Sequence, residues 1–208
     1  MFTKDQLDRL YETVKGGMSE KRFRHTAAVA DMAERLGALF APQSTDVLRA
    51  AALLHDITKE YSTEKQLQIL GDFGIMVTET DILTPKTLHA RTAALLIPQL
   101  YPEFADPLVT SAVRYHTTGR AGMTILEKMV YFADYIDETR TFPDCVMLRE
   151  AFWGADPARM SEPDRLAHFG RLLVLSFDMT IRALIEEGRV ISEDTFAARN
   201  HLILEAGA

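Results

Sequence analysis

From Ser19 to Asp134 apolar residues return at steps of three and four, and beside them stand six residues foreign to a hydrocarbon interior: His25, His55, Asp56, His89, His116 and Asp134. That spacing belongs to amphipathic helices. His25 shares a face with Ala28, Val29, Met32, Leu36 and Leu39 in a helix from Ser19 to Phe40. A second, from about Asp46, runs through Val47, Ala50, Leu53 and Leu54 into His55-Asp56. A third begins after Pro85 and sets His89 in line with Ala93 and Leu96; a fourth starts near Asp106-Pro107 and leads through Val109, Ala112 and Val113 to His116. A fifth follows Gly122 with the capping-box pattern Thr124-x-x-Glu127, continues through Leu126, Val130 and Ala133, and reaches Asp134 late. No segment alternates as a strand and no repeat emerges, so the expected class is all-α.

Helices bury their apolar faces against one another, which draws these polar residues toward one interior. A single inward histidine is commonly satisfied by a hydrogen bond and means little. Four of the chain's six histidines with two carboxylates are a different matter. Uncompensated burial of so many ionisable groups is strongly unfavourable, whereas a divalent cation satisfies all of them together. The nitrogen-rich, thiolate-free set suits iron, manganese, cobalt, nickel or zinc, and does not suit calcium or an oxygen-liganded magnesium.

The remainder bounds the setting. The 208 residues, 47% hydrophobic, suffice for one domain with a sizeable core. Acidic residues outnumber basic ones 30 to 23, which argues against general attraction to nucleic acid or an anionic membrane; an anionic ligand must meet a local site. The uncharged stretches LLVLSF and AALLIPQLY fall far short of the roughly 20 apolar residues of a membrane span. MFTKDQLDRLYETVK lacks the apolar centre of a secretory signal. Cys145 is the sole cysteine, which excludes an internal disulfide and fits a reducing, cytoplasmic location. Residues 141–163 hold three prolines among short apolar runs and read as a loop with a short helix. Pro163 to Glu187 is a long amphipathic helix stopped by Gly188, with a surface that fits either a core or a homodimer partner, and Ser192 opens a last helix containing Arg199. The division expected is one domain over 1–208, with a metal-binding core at about 19–140 and a C-terminal helical extension at about 141–208 packed on it.

The order H…HD…H…H…D resembles the HD-domain superfamily of metal-dependent phosphohydrolases. FRHTAAVADMAERL, LLHDITKEY, LHARTAA, AVRYHTTGRAGMTILEKMVYFADYID and DTFAARN look like the bacterial YqeK-type branch, which hydrolyses dinucleoside tetraphosphates symmetrically. The likeness covers almost the whole chain; DETR departs from it where a proline-glycine turn before the arginine is expected. The resemblance implies an HD-type helical bundle with additional C-terminal helices. It further implies two metal ions, iron favoured: His25, His55, Asp56 and Asp134 around one, His89 and His116 serving the second, and Asp56 bridging.

The chemistry so implied is hydrolysis of a phosphoanhydride by a metal-bound hydroxide, diadenosine tetraphosphate giving two ADP. Asp56 and Lys59 are the catalytic candidates. In YHTTGR, Thr117, Thr118, Gly119 and Arg120 are candidates for the substrate phosphates. Nothing else offers a nucleophile: there is no nucleophile elbow and no P-loop, and Cys145 falls in a proline-flanked loop away from any histidine motif. Arg22, Arg24 and Arg199 read as solvated charges, His168 and His201 as surface or packing residues, and Phe142, Phe152 and Trp153 as plugs at the edge of the core rather than base-stacking platforms. Two other readings keep the same ligands: hydrolysis of another nucleotide (a nucleoside monophosphate, a guanosine alarmone or a cyclic dinucleotide), or a non-catalytic, metal-dependent nucleotide sensor.

Overall fold

The computed structural model describes residues 1–207, which form eleven α-helices and, among the described residues, no strand. Helix α1, Lys4–Gly16, starts at Thr3, whose hydroxyl accepts from the Gln6 backbone while the Gln6 side chain returns the bond, and it buries Leu7, Leu10 and Val14. Helix α2, Glu20–Phe40, is capped by Ser19. Helix α3, Thr45–Leu54, is apolar on nearly every side and sits at the centre. Helices α2 and α3 approach closely at Gly37, where a Cβ would stand 2.7 Å from Leu48 Cδ1.

Helices α4 (Thr63–Asp72) and α5 (Glu79–Leu83) are peripheral, and of their residues only Gln66 and Leu70 are buried. Helix α6, Leu88–Leu100, packs on α7, Pro107–Tyr115, which begins where the Asp106 carboxylate accepts from the Leu108 N–H at 2.7 Å. Helix α8, Ile125–Ile136, has the Thr124–Glu127 capping box and packs against α2, α3 and α7.

The proline-rich segment folds more regularly than its composition suggests. Helix α9, Pro143–Gly154, spans twelve residues, and α10, Glu162–Glu186, follows a short 3-10 turn at Pro157–Arg159. All three prolines fall in the first turn of an element, where a missing N–H costs no hydrogen bond. Phe40, Phe132, Phe152 and Phe169 meet at centroid separations of 4.7 to 6.3 Å and join α9 and α10 to α2 and α8. Helix α11, Glu193–Gly207, lies on α10, tied by Arg199 Nε donating to Asp178 at 2.7 Å.

Candidate metal centre

Five helices deliver the six side chains. His25 lies in the second turn of α2, His55 is the residue after α3 with Asp56 next, His89 is the second residue of α6, His116 follows α7, and Asp134 is in the last turn of α8. His55 and His116 are held alike. The Nδ1 of His55 lies 2.6 Å from the Ala52 carbonyl and that of His116 lies 2.7 Å from the Val113 carbonyl, each three residues back. A carbonyl only accepts, so Nδ1 carries the proton and Nε2 presents its lone pair to the interior.

The Asp56 carboxylate lies between two groups of imidazoles. Its Oδ2 is 3.4 Å from His55 Nε2 and 3.8 Å from His25 Nε2; its Oδ1 is 3.1 Å from His89 Nε2 and 3.9 Å from His116 Nε2. His25 Nε2 also lies 3.0 Å from Asp134 Oδ1. Two triads, His25–His55–Asp134 and His55–Asp56–His116, each have ligand atoms within 4.8 Å of one another. His25 Nε2, His55 Nε2 and Asp56 Oδ1 are buried and make no hydrogen bond. Buried polar atoms of native folds are nearly always satisfied, so three orphans pointing into one cluster mark a place for a cation. The residues therefore fit a metal.

Charge behaves accordingly. Burial opposes ionisation of Asp56 and Asp134, yet His55 and His89 beside the first, and Arg140 and His25 beside the second, hold both carboxyls well below the usual range. Burial alone would lower the His25 pKa, but Asp134 and Asp137 on either side raise it to about 9. Burial lowers His89, and burial with the neighbouring His55 and His89 lowers His116 well below an ordinary imidazole. Burial also lowers the ammonium of Lys59, against the pull of Asp56 and Asp134. Its Nζ lies 3.3 and 3.2 Å from the two ring nitrogens of His89.

Of the YHTTGR residues, Thr117 is at the centre: its Oγ1 lies 3.1 Å from His116 Nε2 and 3.4 Å from His89 Nε2. Thr118 is buried and donates to the Gly119 carbonyl. Gly119, at φ +64°, is pressed under α10 and α11, where a Cβ would meet Phe177 at 2.7 Å and Ala198 at 2.8 Å. Arg120, expected at the phosphates, points instead to the buried Glu127, with Nε and Nη2 at 3.2 and 3.1 Å from the same oxygen. Packing thus accounts for this glycine, and an ion pair for this arginine.

Other residues enter that the sequence placed elsewhere. Arg22, read as a solvated charge, donates to Asp56 Oδ2 at 2.7 Å. Arg140 donates through Nε to the Asp134 carbonyl at 2.9 Å and through Nη2 to its carboxylate. Asp137, not singled out at all, is fully buried; its Oδ2 lies 3.3 Å from His25 Nδ1, and its Oδ1 accepts from the Thr139 N–H at 2.8 Å. Its only sequence signal is a carboxylate one turn beyond Asp134. Cys145 is not in a loop away from the histidines: it lies in the first turn of α9, buried, and shares a cavity wall with His116 and Asp134. Burial raises its pKa, which disfavours the thiolate.

His168 stacks on Phe152 and His201 approaches Glu205, both away from the ligand cluster. Phe152 is in the core and Trp153 is covered by Arg35, whereas Phe142, 65% exposed, stands on the rim of the centre.

Comparison with known proteins shows what the chain is similar to. The family model described as HD domain matches residues 22–139. A Bacillus subtilis (strain 168) protein named bis(5'-nucleosyl)-tetraphosphatase, symmetrical, is 32% identical over 91% of this chain and 94% of its own length. A Halalkalibacterium halodurans protein of the same name is 29% identical over 93% and 95%. A Clostridium acetobutylicum crystal structure, described as a predicted HD superfamily hydrolase involved in NAD metabolism, superposes with a TM-score of 0.83 at 31% identity, covering 99% of both chains.

Proposed function

This chain belongs to the HD domain family, and on that premise we propose that it is a symmetrical dinucleoside tetraphosphatase, cutting diadenosine tetraphosphate into two molecules of ADP. The observation that carries the reading is the complete set of six ligands gathered about Asp56, in a chain similar along nearly its whole length to proteins bearing that name. We assign His25, His55, Asp56 and Asp134 to one divalent ion and Asp56, His89 and His116 to a second. The division is supported by the way each Asp56 oxygen faces a different pair of imidazoles. Iron is favoured, and manganese, cobalt, nickel and zinc are compatible with the donors. When bound, such ions supply Lewis acidity toward phosphoryl oxygens and an acidified water.

The protein's own groups do the rest. The Nδ1 bonds of His55 and His116 fix their rings before substrate arrives, and Asp137 with Thr139 does the same behind His25. Lys59, its ammonium beside His89, is placed to neutralise charge at the attacked phosphoryl group. The Thr117 hydroxyl offers a donor on the same side, and Arg22 and Arg140, paired with Asp56 and Asp134, add positive charge at the edge of the cluster. Both kinds of anhydride bond in a four-phosphate bridge have similar reactivity, so position selects the central one.

The test is hydrolysis in heavy-oxygen water with products separated and weighed. Two ADP, only one of them labelled, is the expected outcome; AMP with ATP contradicts symmetrical cleavage, and intact substrate over fully loaded protein turns the reading to another nucleotide.

A further inference from the structure

Two openings leave the centre, and their linings differ in kind. One is a mouth of about 300 Å³ between Lys21, Arg22, Arg24, His25 and Arg140, with no carboxylate in its wall. The other begins as a cavity of about 340 Å³ holding His116, Asp134 and Arg140. Through a shared wall of Thr117, Tyr135, Asp144 and Thr180 it continues into a cleft of about 320 Å³. Leu83, Thr84 and Thr87 form one side of the cleft; Met179, Ala183 and Leu184 of α10, with Val190 beyond it, form the other. Leu83 and Val190 are 50% and 40% exposed, so apolar surface stands open there. The charges at its rim are mixed, Lys86 and Arg189 against Asp144 and Glu187.

A polyphosphate follows cations and avoids carboxylates, whereas a base and its sugar are neutral and gain from leaving water. The basic mouth therefore suits phosphate and the cleft suits a nucleoside. A volume of this size lies within the range of small-ligand sites, which pair apolar walls with a few hydroxyls, here Thr84, Thr180 and Thr195. One wall is built by α10, outside the segment that the HD model matches.

We propose that the cleft between the Leu83–Thr87 segment and α10 binds one nucleoside of the substrate, with its phosphate chain running past Thr117 to the metal ligands and on toward Arg140 and Arg22. This rests on the tetraphosphatase reading for what lies at the far end of the chain, but not for the nucleoside itself. The C-terminal extension then sets the register of cleavage, because the distance from the cleft to Asp56 decides which phosphorus reaches the ligands.

The test compares wild type with Ala183→Trp, which fills the cleft from an exposed helix position, and Leu83→Ser on the opposite wall; Ile185→Trp, exposed and outside the cleft, controls for added bulk. ADP affinity is measured by calorimetry on manganese-loaded protein, with inorganic pyrophosphate as the nucleoside-free probe. The expected result is a loss of about tenfold or more in ADP affinity for both cleft variants, with pyrophosphate affinity, metal content and the Ile185→Trp control unchanged. Unchanged ADP affinity in Ala183→Trp and Leu83→Ser overturns the proposal. So does a wild-type dimer, seen by sedimentation, that Ala183→Trp dissociates, since a second copy then covers the cleft. If wild type binds ADP through the cleft as stated yet leaves diadenosine tetraphosphate intact, the cleft stands and the tetraphosphatase reading fails.

Discussion

Asp137 and His25 show how much a candidate ligand owes to the residue behind it. The carboxylate is completely buried, 3.3 Å from the far nitrogen of an imidazole whose near nitrogen points at Asp134. Asp137→Asn keeps the shape and removes the charge, and should weaken metal affinity by about 10- to 100-fold while the fold persists. Titration of metal into the chelated variant checks this; wild-type affinity would deny Asp137 its positioning role. The histidines also give the metal-free protein a distinctive pH dependence. His25 has its pKa raised from 6.5 to about 9 on folding, so the stability it contributes is complete below 6.5 and is lost as pH rises through about 9. His89 and His116 have theirs lowered by burial, so what their neutral forms contribute is lost as pH falls below 6.5. Chelated protein should therefore melt highest near pH 6.5, lower as pH falls below that value, and progressively lower as pH rises toward 9. A bound ion needs His25 unprotonated, so the rise in melting temperature on adding manganese should grow from pH 6.5 to 9; a rise that shrinks over that interval contradicts the assignment of His25.

At the level of elements, the helices most visible in the sequence are those that bury a continuous face. Helices α2, α3, α6, α7 and α8 each place several apolar residues in the core, and the periodicity places them within a few residues of their observed ends. Helix α4 buries only Gln66 and Leu70 and α5 nothing, so neither offers a pattern to find. Helix α9 is obscured by its prolines, which signal interruption in sequence but occupy helix starts in space. The six candidate ligands stand out because histidine and aspartate are unusual on apolar faces. Arg22, Asp137 and Arg140 do not, because charged residues at helix ends ordinarily face solvent and only the convergence of α2, α3 and α8 gives them partners. Arg120 is the reverse case, a cation that looked directed at ligand and instead pairs with Glu127 at the start of α8. Arg120→Ala should lower stability by about 1–3 kcal/mol, since Glu127 stays buried with Ser111 and the Thr124 N–H as its remaining partners. Thermal melting checks it; a normal melt with a raised KM would return Arg120 to the substrate.

On the scale of the molecule, the candidate ligands are drawn from residue 25 to residue 134, so no local piece of chain holds the cluster. The aromatic cluster of Phe40, Phe132, Phe152 and Phe169 extends that dependence beyond residue 140 by fastening α9 and α10 to the helices that carry His25 and Asp134. The bonds from His55 to the Ala52 carbonyl and from His116 to the Val113 carbonyl now take on a meaning in assembly. Each ring is oriented by the last turn of its own helix, so the rotameric search is over as soon as that turn forms. Docking α7 on α3 brings two aimed donors together without further adjustment. Capture of a cation then resembles dropping a pin into aligned holes rather than moulding clay around it. Far-ultraviolet circular dichroism should accordingly be the same before and after chelation, and a large loss of helix on chelation would mean that the cation organises the helices instead of being received by them.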